Sequence, residues 1–298
     1  MKKLLIVFAV FFMASGFTKE EIASQVDENI IKDFTAEVET QIQTQQVKGI
    51  PPIFTKIKNH DYEGIKEYLD KGGSRTIRYA NNTPLMSAAD KGYTDICELL
   101  LYYSNGKIDK SKKRVEIDAT NEYGWTALMF AAQSNKGKTV DYLIKNGANK
   151  NYMATSFLET VIGVAALNCA NDALKALLDN GADIEKTSSY SYTPLMSAID
   201  SHVVKDEVKI LETVIYLNSR KANVNARAEE GETPLMIAAA KGYYSIVKFL
   251  LSKERLEQGN GEKVEINAED SYGDTALKYA QNNGHPKTAE LIKQRGGK

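Results

Sequence analysis

Six copies of a threonine followed two residues later by leucine or isoleucine, each reading as the start of a unit's first helix, recur at a nearly fixed stride along this 298-residue chain. The copies are Thr83-Pro-Leu-Met86, Thr126-Ala-Leu-Met129, Thr160-Val-Ile-Gly163, Thr193-Pro-Leu-Met196, Thr233-Pro-Leu-Met236 and Thr275-Ala-Leu-Lys278. Successive threonines stand 43, 34, 33, 40 and 42 residues apart. A repeat with a base period near 33 residues constrains the fold more than any other feature, because such a unit buries its apolar face only against its neighbours. One array is therefore expected rather than two globular domains. An array of this kind offers a long surface instead of a deep pocket.

The second copy shows the unit most clearly. Asn121-Glu-Tyr-Gly124 reads as a turn, and Thr126 is an N-cap whose hydroxyl can accept from the first turn's orphan N–H groups. Three copies put Pro next, at a position that needs no donor. Leu128, Ala131 and Ala132 make an apolar face, and Asn135-Lys-Gly137 breaks the helix. Val140, Leu143 and Ile144 form a second helix, which Asn146-Gly-Ala148 stops. Neither helix is long enough to persist alone, so stability must come from stacking.

Tyr123–Ala132 with Leu143–Ala148 resembles an ankyrin repeat, and the same grammar runs through Thr83–Ala89 with Ile96–Leu101 and Thr233–Ala239 with Ile246–Leu251. The resemblance covers about Ile50 to Arg295. It implies an all-α repeat solenoid, a stack of helix-turn-helix units with short β-turn fingers. The array is placed at residues 50–298, with a leading half-unit at 50–77 and repeats starting near 78, 121, 155, 188, 228 and 270. Met86, Met129, Met196 and Met236 stand where the family usually has His, replacing a hydrogen-bonding ladder with a flexible apolar one. In the third copy Gly163 replaces Met and Cys169 replaces the usual Gly, and Lys221 replaces Gly at the end of the fourth. The excess lengths locate insertions around 106–114, 203–209 and 253–263.

The N-terminus does not belong to the array. Lys2-Lys3, an apolar run from Leu4 to Ala14 and the small residues Ala14-Ser-Gly16 describe a signal peptide at 1–16, cut before Phe17. Residues 17–49 form a helical arm, opened by a capping box at Thr18-Lys-Glu-Glu21. Ile22, Val26, Ile30, Phe34, Val38 and Ile42 give it one apolar stripe. Three fates stay open for the arm: covering the first repeat's open end, pairing with another chain through residues 18–46, or fraying. Export and the absence of an expected disulfide between Cys97 and Cys169 point to a bacterial envelope protein, periplasmic rather than released to the medium.

With 38 basic and 39 acidic side chains, no bulk field draws the chain to nucleic acid or to an anionic membrane. The three histidines, His60, His202 and His285, fall in different units without metal-ligand spacing. No phosphate-binding glycine loop follows a strand, so no catalytic residue, cofactor or metal is assigned. An enzyme of unknown type would be revived by an ordered ion or an activated thiol at Cys169. In the resembled family the fingers and first helices line the surface that contacts partners. Here that register carries Tyr79, Tyr123, Trp125, Phe157, Tyr190, Tyr192 and Tyr272, with Gln133 and Lys241 at first-helix ends. Aromatics of this kind anchor interfaces, so non-catalytic binding of another protein is the expected function. Self-assembly through the N-terminal helix is the alternative. Trp125 and Tyr192 share one register position and stand out. As exposed anchors, they should be removable with little effect on folding.

Overall fold

The computed structural model describes residues 49–155, 159–259 and 261–298. The signal peptide and the arm, including the self-pairing stripe at 18–46, lie outside the described residues, as does Phe157.

The threonine registers do what their spacing predicts. In all six, the Thr hydroxyl accepts from the backbone N–H three residues on, at 3.0–3.4 Å. Each starts a short inner helix: α3 (Pro84–Lys91), α5 (Ala127–Gln133), α7 (Val161–Leu167), α9 (Pro194–Ile199), α11 (Pro234–Lys241) and α14 (Ala276–Asn282). The leading half-unit supplies an inner helix α1 (Pro52–Lys58) and an outer helix α2 (Tyr62–Asp70). The outer row continues with α4 (Thr94–Tyr102), α6 (Gly137–Lys145), α8 (Asn171–Asp179), α10 (Glu207–Ser219), α12 (Tyr244–Leu250) and α15 (Pro286–Gln294). This is an all-α solenoid.

Each inner helix packs on the inner helix of the next unit. The leucine or isoleucine two residues after the threonine is buried in every copy, and so are the alanines one turn on, such as Ala88-Ala89, Ala131-Ala132 and Ala238-Ala239. These small side chains let neighbouring helices approach closely. Polar links then lock adjacent units: Ser134 donates to Asp90 at 2.6 Å, Tyr102 to Asn146 at 2.7 Å, Thr213 to Asn171 at 3.0 Å and Ser201 to the Leu167 carbonyl at 2.6 Å. Fingers appear as turns with isolated bridges, Tyr79 with Asn82 and Met153 with Thr160.

The methionines do more than fill the core. In the first and fifth repeats the sulfurs of Met86 and Met236 accept from the backbone N–H of Thr83 and Thr233 at 3.3 Å. A weak acceptor thus closes a capping box, and the expectation of a purely apolar ladder is corrected at those two units.

The insertions carry more order than plain loops. The first begins at Tyr103, earlier than expected, as a two-stranded hairpin of β1 (Tyr103–Ser104) and β2 (Lys107–Ile108). Asn105-Gly106 turns it with φ of 50° and 80°, because that dipeptide adopts positive φ cheaply. The second partly joins α10, which runs 13 residues against 9 for α8. The third forms a short helix α13 (Lys253–Gln258), pinned by the buried Arg255 donating to the Glu262 carbonyl.

Lys221 holds φ at 71° where Gly147 and Gly181 serve in earlier units. Its side chain is exposed, so the left-handed backbone is strained without compensating contacts. Lys221→Gly should raise stability by about 0.5–1 kcal/mol. The check is a higher urea midpoint at unchanged slope.

Candidate functional site

The residue just before each capping threonine sits at the same height in every unit. In four consecutive repeats these residues, Trp125, Glu159, Tyr192 and Glu232, line one groove of about 500 Å³. Gln133 and Tyr190 join them, together with Asp200, His202 and the finger residues Glu229 and Glu230. Four of the sequence-derived positions, Trp125, Gln133, Tyr190 and Tyr192, are therefore brought together.

The other described positions do not line this groove. Tyr79 is half-buried with its ring 5.5 Å from that of Phe54. Tyr123 is half-buried beside Glu122, and burial followed by that carboxylate pushes its hydroxyl up to about 12. Lys241 pairs with Asp200 at 2.8 Å on the groove's flank. Tyr272, 70% exposed, projects from the next finger.

Trp125 departs from the expected exposed anchor. Only 6% of it is accessible, and its ring meets Phe130 edge-on at 5.5 Å. Phe130 follows it by five residues, on the inner helix that Thr126 starts. The indole is thus part of the core as well as the groove wall. Tyr192, at the same register, is half-buried, while Tyr190 is 51% exposed.

Local backbone fixes these positions. Asn121 Oδ1 accepts from the N–H groups of Tyr123 and Trp125 at 3.0 and 2.9 Å, a turn device that aims the finger. Asp270 Oδ1 does the same for Tyr272 and Asp274. Between fingers, the Glu229 N–H donates to the Tyr190 carbonyl at 3.2 Å and the Ser271 N–H to the Glu230 carbonyl at 2.9 Å. Three successive fingers are held side by side.

Glu159 was not singled out by the sequence, and its position depends on the degenerate third repeat. Its Oε1 accepts from the Thr160 N–H at 2.9 Å, the role a methionine sulfur plays in the first and fifth units. A Cβ on Gly163 would meet that same oxygen at 2.0 Å. The missing side chain at 163 is what admits the carboxylate. Burial, only partly offset by the Thr160 hydrogen bonds, pushes the Glu159 carboxyl up to about 7. Glu232 is raised as well, by burial and then by Glu230, Asp200 and Asp270. Burial holds the His202 imidazole below its ordinary value.

The sites considered for chemistry read differently. Cys97 is buried, and burial raises its thiol. Cys169 is half-buried at a φ of 49°, and burial also raises its thiol, away from the thiolate form that a nucleophile needs. His60 contacts Asp95 at 3.0 Å and stacks on Tyr93, and His285 meets the Ala240 carbonyl at 3.0 Å. Among the described residues, no three His, Cys, Asp or Glu side chains converge as a metal-ligand set. No described helix is long and apolar enough to cross a membrane.

Two stability predictions arise from these placements. Trp125→Ala should cost about 3–5 kcal/mol, whereas Tyr190→Ala should stay within about 0.5 kcal/mol; paired urea titrations check both. The folded chain keeps the Glu159 proton to about pH 7, against an ordinary value of 4.5. Across that window the folded state binds more protons than the unfolded one, so this group's contribution to stability falls as pH rises. Glu159→Gln should remove that component and exceed the wild type above pH 7 by up to about 3 kcal/mol. Melts of both proteins from pH 4 to 8, a range that brackets the ordinary and the raised Glu159 values, measure the difference.

A family model described as ankyrin repeats in three copies matches residues 53–154 and 203–298. An ankyrin repeat and KH domain-containing protein of Caenorhabditis briggsae is 31% identical over 177 residues, covering 58% of this chain. A transient receptor potential cation channel subfamily A member 1 homolog of Caenorhabditis elegans is 30% identical over 211 residues, covering 71%. An ankyrin repeat protein of fowlpox virus is 30% identical over 181 residues, covering 59%. The matched segments span only 6%, 15% and 48% of those relatives' own lengths. Among solved structures, the ankyrin repeat domain of Bcl-3 matches with a TM-score of 0.62 at 18% identity, covering 82% of this chain and 99% of that one. The capped inner helices, the stacked units and the family match agree: the chain belongs to the ankyrin-repeat family.

Proposed function

We propose that this chain is a non-catalytic binding protein that holds another protein in the groove between its second and fifth repeats. Ankyrin repeats generally mediate protein–protein interaction, and stacked repeats create extended concave surfaces for it. The single observation that supports this groove is the meeting of Trp125, Gln133, Tyr190 and Tyr192 in one opening. Large aromatic side chains at a partly enclosed surface are the residue types that anchor interfaces.

Export before Phe17 and periplasmic residence belong to the same proposal. They rest on the charged start, short apolar run and small residues of 1–16. Self-association through 18–46 is a second reading, supported by the stripe from Ile22 to Ile42. Sedimentation of the chain with and without residues 17–48 tests it, and a monomer in both cases removes it.

For the groove, Tyr190→Ala should weaken affinity for the partner purified from native extract about tenfold. Tyr244→Ala removes an exposed aromatic from the outer helix α12 and should leave affinity unchanged. Equal affinity for both variants and the wild type would place the binding surface elsewhere.

A further inference from the structure

Among the described residues, five carboxylates line the groove, Glu159, Asp200, Glu229, Glu230 and Glu232, and no lysine or arginine does. The whole chain carries a net charge of only −1, so acid is concentrated here. Lys241 matches Asp200. The other four carboxylates have no basic partner among the described residues. Glu159 and Glu232 are partly buried, where a carboxylate without a counter-charge is costly, while Glu229 and Glu230 are exposed. Glu232 is raised by burial and then by three neighbouring acids.

A second polar feature lies in the same groove. The Ser197 hydroxyl lines the same groove, is 2% exposed, and has no hydrogen-bond partner among the described residues. Buried hydroxyls rarely stay unpaired. Along the shared register the wall alternates aromatic and acid: Trp125, Glu159, Tyr192, Glu232. An aromatic face beside a carboxylate suits an ammonium or guanidinium group, which draws on both the ring quadrupole and charge-assisted hydrogen bonds.

We propose that the occupant is an extended basic segment of a partner protein, its lysine or arginine side chains seated between Trp125, Tyr190 and Tyr192 and the carboxylates of Glu159, Glu230 and Glu232. The proposal rests on the groove-binding reading above and adds the chemistry of the partner. Spacing supports a peptide in polyproline II form: packed helices lie about 8–10 Å apart, and three residues of that backbone make one turn, rise about 9 Å and return to the same face. A cation at every third residue meets successive rungs of the wall.

The test titrates the full chain by calorimetry with a capped dodecapeptide repeating Lys-Gly-Ser, and with its Glu-Gly-Ser counterpart. The lysine peptide should bind and the glutamate peptide should not. Glu230→Gln with Glu232→Gln should weaken binding at least about fivefold at an equal or higher melting temperature. Glu254→Gln with Glu257→Gln removes the same charge from the exposed face of α13 and should leave binding as it was. No binding of the lysine peptide, or equal weakening by both double variants, overturns the proposal. The purified partner separates the two readings. If Tyr190→Ala releases it but Glu230→Gln with Glu232→Gln does not, the groove binds protein without needing cations, and only this proposal fails. If neither releases it, the groove reading itself fails.

Discussion

The inner helices are six to eight residues long, too short to persist in water by themselves. What holds them is the burial of one leucine or isoleucine and a pair of small residues against the next copy of the same face. That contact sets the whole molecule. Because it repeats, every threonine cap falls at one level of the stack, and so does the residue before it. A surface row is thereby produced by core packing, and the groove is part of that row.

The third repeat shows how a weak unit can carry a distinctive group. Loss of the side chain at Gly163 removes a core methionine and opens a space that the Glu159 carboxylate enters. The backbone donor satisfied by sulfur at Thr83 and Thr233 is satisfied at Thr160 by a carboxylate oxygen. The exchange is a local one in hydrogen bonding and a large one in electrostatics. It puts an ionisable group with a near-neutral pKa between two aromatic walls. Neighbouring units supply the apolar contacts that the glycine gives up, since both flanking inner helices are fully packed on α7.

Much of the fold was legible in residues alone because its determinants are local. A threonine, a frequent following proline and a leucine two residues on act within one turn of helix, and all six threonines cap as their positions imply. Lys221 and Cys169 were legible for the same reason: they stand where glycine is expected, and both take positive φ. The insertions were located by length, but their contents were not. The helix in 253–263 depends on Ser252 as cap and on burial of Arg255, and the latter is a tertiary fact.

The candidate site was legible as a register and not as a depth. Sequence period assigned Trp125 and Tyr192 to the same position, yet one is core and the other half-buried, because Phe130 packs against Trp125. The acidic Glu229-Glu-Gly-Glu232 run is visible in the sequence, but turns rich in acid are ordinary. Only the stack shows it facing Tyr190 and Glu159 across one groove. By itself, then, the chain determined its family, its repeat period and its caps, all of which depend on contacts within a few residues or on periodicity. Tertiary structure alone decided which side chains share the groove and what charge they present there, because those neighbours are brought together across units more than thirty residues apart.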